Sequence, residues 1–185
     1  MRIRKSINWD MDGTIANLYS VPNWLEKLRA EDPSPYLDAD PMCDMKKLAE
    51  VLNLLKSAGW EINVITWLSM NSSEEYKDAV REAKLAWLNK WGFVYDHFHG
   101  VRYGATKADS VRKRTDYGIL IDDNEKVRKG WTLGATIDPT KVDIIEALTS
   151  LLKKRKKTWN TFMSQVKITM VMYVIHEHYQ VFTLI

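Results

Sequence analysis

Short runs rich in β-branched residues alternate with stretches of helical spacing along most of this chain, and that alternation admits few folds. Ile3 to Trp9 alternates as a strand does, and Glu61 to Thr66 carries Ile62, Val64 and Ile65. Phe93 to Val101 is a weaker third run, Tyr117 to Ile121 a fourth and Ala135 to Ile137 a fifth. Between the first two runs, Met45, Leu48, Ala49, Leu52 and Leu55 recur at helical spacing, and Gly59 closes the segment. Ser72-Ser73-Glu74-Glu75 opens a long helix that stops at Gly92. Shorter helices are expected from Val21 to Ala30, where Pro22 suits a first turn, and from Lys107 to Arg112. Val142 to Leu152 reads as a last amphipathic helix, and Glu31 to Pro41, rich in Pro and Asp, as a loop. The expected fold is α/β, a mainly parallel sheet flanked by helices, with ligands bound beyond the carboxyl ends of its strands.

Two acidic clusters fall just after expected strands, Asp10-Met11-Asp12-Gly13-Thr14 and Asp122-Asp123, so they can meet in space although far apart in sequence. A phosphoester hydrolase needs a nucleophile, a proton donor for the leaving group, a cation to offset phosphate charge and donors for the other oxygens. Asp10 and Asp12 lie two residues apart, roughly on one side of an extended chain, and Gly13 permits the turn that follows. Two close carboxylates repel when both are ionised, which divides the roles: one ionised nucleophile, one proton carrier. A hard cation with oxygen ligands suits such a site, and magnesium is usual beside phosphates. Thr66 ends the second strand, where its hydroxyl and the following N–H, that of Trp67, can hold a phosphate oxygen. Lys107 can neutralise phosphate and aspartate together, although Lys113 and Arg114 also lie upstream of the late acids.

In this order the residues resemble the four motifs of the haloacid dehalogenase-like (HAD) phosphatases. Asp10 to Thr14 is similar to motif I, Ile62 to Thr66 to motif II, Lys107 to motif III and Ile119 to Asp123 to motif IV, covering about residues 3 to 150. The resemblance implies a Rossmannoid fold and a phospho-aspartyl intermediate on Asp10, with Asp12 as acid/base. It implies Mg²⁺ held by the Asp10 carboxylate, the Asp12 backbone carbonyl and Asp123, with Asp122 bound directly or through water. Thr66 and Lys107 would hold the phosphate. Response-regulator receivers also combine acids, a Thr and a Lys, but there the acidic pair comes early and the Lys last. The order rejects them.

The net charge of +3 is uneven: from Lys153 onward six basic residues face one acid, so the first 152 residues carry −2. The chain therefore reads as a catalytic domain over 1–152 and a basic appendage over 153–185. The run Lys153 to Lys157 offers a possible nucleic-acid contact. One cysteine, Cys43, excludes an internal disulfide and a cysteine-based zinc cluster, and suits a cytoplasmic location. No apolar stretch is long enough to span a membrane. His97-Phe98-His99 and His176-Glu177-His178 each supply too few ligands for a metal site.

Residues 16–44 leave room for only a small cap, and Ser69 to Thr106 is consumed by core elements. Among eight tryptophans, Trp24 and Trp67 flank the expected site and are placed to stack on a base or sugar. Within the family, Asp-Met-Asp-Gly-Thr-Ile-Ala-Asn-Leu with Ile-Asp-Asp and the later Trp131 resembles bacterial and phage 5′(3′)-deoxyribonucleotidase-type members and the phosphatase domain of phage polynucleotide kinase. That implies a nucleoside monophosphate as substrate, a 3′-phosphorylated nucleic-acid end as runner-up. A reading from another class is an inactive binding domain, or a nucleic-acid binder led by the tail.

Overall fold

The computed structural model describes residues 3–153. Five strands form one parallel sheet: β1 (Lys5–Trp9), β2 (Trp60–Trp67), β3 (His97–Val101), β4 (Tyr117–Ile121) and β5 (Thr136–Ile137), in spatial order β3-β2-β1-β4-β5. Helices flank it, making a Rossmann-like α/β fold: α1 (Trp24–Arg29), α2 (Ser34–Asp38), α3 (Met45–Ser57), α4 (Glu74–Lys90), α5 (Lys107–Val111) and α6 (Glu125–Lys129). The chain divides into compact units Met1–Glu146 and Ala147–Ile185, the second described only over 147–153. His176 and His178, and all of the basic run beyond Lys153, lie outside the described residues.

The three central strands are covered on both faces. Ser6 to Trp9, Ile62 to Thr66 and Gly118 to Ile121 are all buried. The chain runs outward from β1 through β2 to β3, then crosses to the other side of β1 for β4 and β5. That reversal leaves a crevice at the carboxyl ends of β1 and β4. Register then does the rest: Trp9 pairs with Val64 on one side and Ile121 on the other, so the residues that follow them arrive together.

α3 follows from its spacing. Asp44 caps it by accepting the Lys47 amide at 3.1 Å, and Met45, Leu48, Leu52 and Leu55 form its buried stripe. Ser73 caps α4 in the same way through the Tyr76 amide, also at 3.1 Å. The buried stripe of α4 is Tyr76, Val80, Ala83, Lys84, Trp87 and Leu88. A lysine on that stripe is the anomaly.

Four local expectations are corrected. Glu31 to Pro41 is not all loop: Asp32 accepts the Ser34 amide at 2.8 Å, and α2 begins there with Pro35 in its first turn. Prolines and aspartates that suggested a loop are here the start signals of a helix. α1 begins at Trp24 rather than near Pro22, because Asn23 takes a left-handed conformation (φ 56°). β3 is shorter than Phe93 to Val101. Gly92 turns the chain at φ 63°, and Asp96 accepts the Ile62 amide at 2.8 Å before pairing resumes. β1 starts at Lys5 rather than Ile3.

The segment between β1 and α3 is a small flap. Its neck is closed by Asn17 N–H to Asp40 O at 2.8 Å and Met42 N–H to Ile15 O at 2.9 Å. Leu18 and Tyr36 from the flap pack with Leu68, Tyr76, Val80 and Ala83, and the half-buried Trp24 and Leu28 cover that cluster. Glu31 fixes the flap to α4 by accepting the Ser73 amide and hydroxyl at 2.9 and 2.6 Å.

Candidate active site

Asp10 leaves β1 with its amide bonded to Ile121 O at 2.9 Å, which sets it beside Asp122 at the end of β4. The next turn wraps the Met11 carbonyl, which accepts the amides of Thr14, Ile15 and Ala16. Met11 and Ile15 are fully buried and anchor the loop. Gly13 sits at φ +77°, and a Cβ there would lie 2.6 Å from both Asp123 Oδ2 and the Tyr19 ring. Thr14 clasps the two acidic loops by accepting the Asp123 amide at 3.2 Å.

A Gly13→Ala variant should therefore lose about 2 kcal/mol or more, from a strained φ and a clash with side chains the site needs. Gly104 is the control: it has φ +79° but open space around it. Gly104→Ala should cost only about 1 kcal/mol. Urea midpoints of the two variants measure the difference, and equal losses would show that the contact with Asp123 is immaterial.

Asp10, Asp122 and Asp123 each bring a carboxylate oxygen within 4.8 Å of the others. Lys107, from the start of α5 and 4% exposed, donates to Asp10 Oδ1 and to Asp122 Oδ2, the latter at 2.7 Å. Burial works against its ammonium, but the two carboxylates raise its pKa above the ordinary lysine value. Burial, then the charge on Asp10, push Asp122 upward, and Lys107 and the Asn124 amide only partly offset this. Asp123 is raised too, by burial and by Asp10. One ammonium shared among three acids is too little charge. Lys113 and Arg114 are elsewhere: the Lys113 carbonyl accepts from Arg4, and Arg114 reaches His97 and Glu61.

The loop after β4 is held from behind. Arg128 donates to Asp122 O at 2.6 Å and pairs with Asp138 at 2.7 Å. Asn124 donates its amide to Asp122 Oδ1 at 2.9 Å and caps α6 with its own side chain.

Asp12 has a different partner. Lys84 reaches from α4 to Asp12 Oδ2 at 2.5 Å and to Thr66 Oγ1 at 2.7 Å. Burial pushes the Asp12 carboxyl up, with Lys84 opposing and Asp10 adding to it. With all four carboxylates ionised, the two ammonium groups leave two negative charges where a phosphate dianion would also have to sit. An all-oxygen donor set with that deficit suits a hard divalent cation such as Mg²⁺. The residues present fit the metal.

Above the acids lies a cavity of about 460 Å³ lined by Asp10, Asp12, Lys107, Asp122 and Asp123 and by Tyr19, Trp24, Tyr36, Trp67 and Tyr103. Trp24 meets Tyr19 edge-on with ring centroids 5.1 Å apart, and Trp67 lies 4.8 Å from Tyr103. The Trp67 indole is pinned by its N–H to Ala105 O at 3.0 Å. Seven of the eight residues proposed from the sequence line one crevice, Asp10, Asp12, Trp24, Trp67, Lys107, Asp122 and Asp123, while Thr66 is buried behind it, bonded to Lys84. His97 and His99 do not belong to it, their rings lying 6.3 Å apart on β3.

Sequence reasoning missed Lys84, Tyr36 and Arg128. For Lys84 a signal was present: it falls four residues after Val80 and eight after Tyr76, on the apolar face of α4.

No family model matches the sequence, and no curated protein matches it. Among solved structures, a chain of the Pnkp1/Rnl/Hen1 RNA repair complex is similar at 17% identity and TM-score 0.48, over 73% of this chain and 42% of that one. A second structure of a Pnkp1/Rnl/Hen1 complex gives 18% and 0.48, over 74% and 46%. The D,D-heptose 1,7-bisphosphate phosphatase from Burkholderia thailandensis gives 13% and 0.47, over 80% and 98%. The chain spans less than half the length of the first two matched chains. No helix among the described residues is long and apolar enough to cross a membrane.

Proposed function

We propose that the chain is a Mg²⁺-dependent phosphomonoester hydrolase of the HAD type that works through an aspartyl-phosphate on Asp10. The observation that carries this reading is the joining of Asp10 and Asp122 by Lys107, with Asp12 and Asp123 beside them, on the floor of one aromatic-walled cavity.

Lys107 holds Asp10 Oδ1, which leaves Oδ2 to attack phosphorus. As that bond forms, the bond from phosphorus to the leaving oxygen breaks, and the leaving oxygen takes a proton from Asp12. Asp12, now a carboxylate, then removes a proton from water as its oxygen attacks the aspartyl-phosphate. The acyl-phosphate P–O bond breaks and returns Asp10 and inorganic phosphate. Thr66 and the Trp67 amide hold phosphoryl oxygens, and Lys107 offsets their charge. Magnesium held by Asp10, Asp123, Asp122 and the Asp12 carbonyl would supply the remaining positive charge.

The substrate read for this site is a nucleoside monophosphate, a deoxyribonucleotide first. Tyr19, Trp24, Trp67 and Tyr103 give the cavity aromatic faces on which a base or sugar can rest, beside a floor suited to one phosphate. A second hollow of about 330 Å³ shares Trp67 and Tyr103 and adds Lys126 and Trp131, which favours a 3′-phosphorylated nucleic-acid end as the second reading. The single Cys43 suits action in the cytoplasm.

Phosphate release from deoxy- and ribonucleoside 5′- and 3′-monophosphates and a 3′-phosphorylated oligonucleotide, with Mg²⁺ or EDTA, tests both readings. Metal-dependent turnover of one class names the substrate. Release from none of these, nor from a generic aryl phosphate, would leave the inactive binding domain or the nucleic-acid binder led by the tail.

A further inference from the structure

Lys84 is completely buried on the apolar face of α4. A lysine in such a place is costly unless each of its donors is satisfied. Here all three are: Asp12 Oδ2 at 2.5 Å, Thr66 Oγ1 at 2.7 Å and Trp67 O at 3.1 Å. The Nζ also stands 4.7 Å from the centre of the Tyr36 ring, so the flap covers it. No N–H is left over for a substrate. Whatever Lys84 does for the reaction, it does through Asp12 and Thr66.

What it does follows from hydrogen-bond inventory. An ammonium donates and cannot accept, so Thr66 Oγ1 is an acceptor towards Lys84 and keeps its own O–H. That O–H has only a long contact to Trp67 O, at 3.5 Å, in a residue that is otherwise fully buried. At Asp12 the two oxygens are made unequal. Oδ2 is taken by Lys84, while Oδ1 is buried and has no hydrogen-bond partner among the described residues. A buried oxygen without a hydrogen-bond partner is costly to keep. It is also the one oxygen of that carboxyl that Lys84 leaves free to carry a proton.

We infer that Lys84 is a positioning residue. By clamping Asp12 Oδ2 against Thr66, it makes Oδ1 the oxygen that passes its proton to the leaving group, and it links proton transfer to the residue holding the phosphate. The inference rests on the phosphatase reading and adds a residue to it. In the step concerned, the Oδ1–H bond breaks and its proton goes to the leaving oxygen. That oxygen keeps the electron pair of the broken P–O bond while the Asp10–phosphorus bond forms.

The test compares two substrates of nearly equal shape, 4-nitrophenyl phosphate and phenyl phosphate. The nitrophenolate leaves with little help from an acid, whereas phenolate needs the proton more. In Lys84→Met, kcat/KM for phenyl phosphate should fall about 10-fold further than for 4-nitrophenyl phosphate, part of the roughly 10²–10⁴-fold that a placed acid contributes. A loss equal for both esters overturns the inference, because damage to the fold alone does not discriminate leaving groups. Inactivity of the wild type toward both sinks the phosphatase reading, and this inference with it.

Should Lys84→Met fail to fold, the double variant Lys84→Met/Asp12→Asn removes both members of the buried pair and is the version expected to fold. Its ratio of kcat/KM values for the two esters should match that of Asp12→Asn alone within about 3-fold, since coupled residues are non-additive. A further change in the ratio means that Lys84 acts on the leaving group by a route other than Asp12, which overturns the inference.

Discussion

Replacing Asp10 by asparagine should lower Mg²⁺-dependent turnover by about 10⁴-fold or more while leaving the fold intact, as expected when a nucleophile is removed. The substitution keeps the shape of the side chain, and its amide can still accept from Lys107. It cannot form the acyl-phosphate. The charge it removes is one of four crowded carboxylates, so metal-free Asp10→Asn should melt no lower than the wild type, and about 2–4 °C higher if the relief is near 1 kcal/mol. Phosphate release and a thermal melt, run on the same preparation, separate the two effects. A variant that melts normally yet retains a tenth of the wild-type turnover would rule Asp10 out as the nucleophile.

Lys107→Met should damage both stability and activity. Lys107 is the only ammonium bonded to Asp10 and Asp122 among the described residues, and all three side chains are buried. Removing one partner from a buried ionic group typically costs about 3–5 kcal/mol, because the remaining charges are left without compensation. Turnover should fall by about 10³-fold, since a positive charge fixed at the phosphoryl group is lost as well. The diagnostic feature is the metal response. With no ammonium among Asp10, Asp122 and Asp123, a divalent cation should raise the melting temperature of the variant by more than it raises that of the wild type. Equal stability of variant and wild type without metal would mean that Lys107 does not neutralise the cluster.

The central sheet was legible because β1, β2 and β4 are short runs with β-branched residues that stop at polar clusters, although Ser6, Asn8 and Asn63 are polar residues buried within them. The edge strand β3 was legible only in outline, since its half-buried residues place no strong pattern on the sequence. The flap was misread over Ser34–Asp38, where prolines and aspartates serve a helix start rather than a loop. Asp10, Asp12, Asp122 and Asp123 could be picked out because they lie in two clusters that directly follow strands that local pattern reveals.

Lys84 could not be picked out in that way, although it sat on an apolar stripe. A lysine at such a position is usually a solvated residue at the edge of the stripe. Only packing makes it a partner of Asp12. α4 lies over the carboxyl end of β2, and the flap residue Tyr36 closes the space above its ammonium. The choice of Lys107 over Lys113 and Arg114 was likewise a matter of direction, which is decided by how α5 packs beside β2 and β3.

The sequence by itself determined the parallel sheet, the order of its acidic loops and the need for a turn at Gly13, because these depend on neighbours within a few residues. Tertiary structure alone decided which lysine meets which carboxylate, and which aspartate oxygen is left without a partner. Those contacts join residues 72 and 97 positions apart. In a parallel sheet such residues meet only after the crossovers are packed, so nothing local in the chain records the meeting.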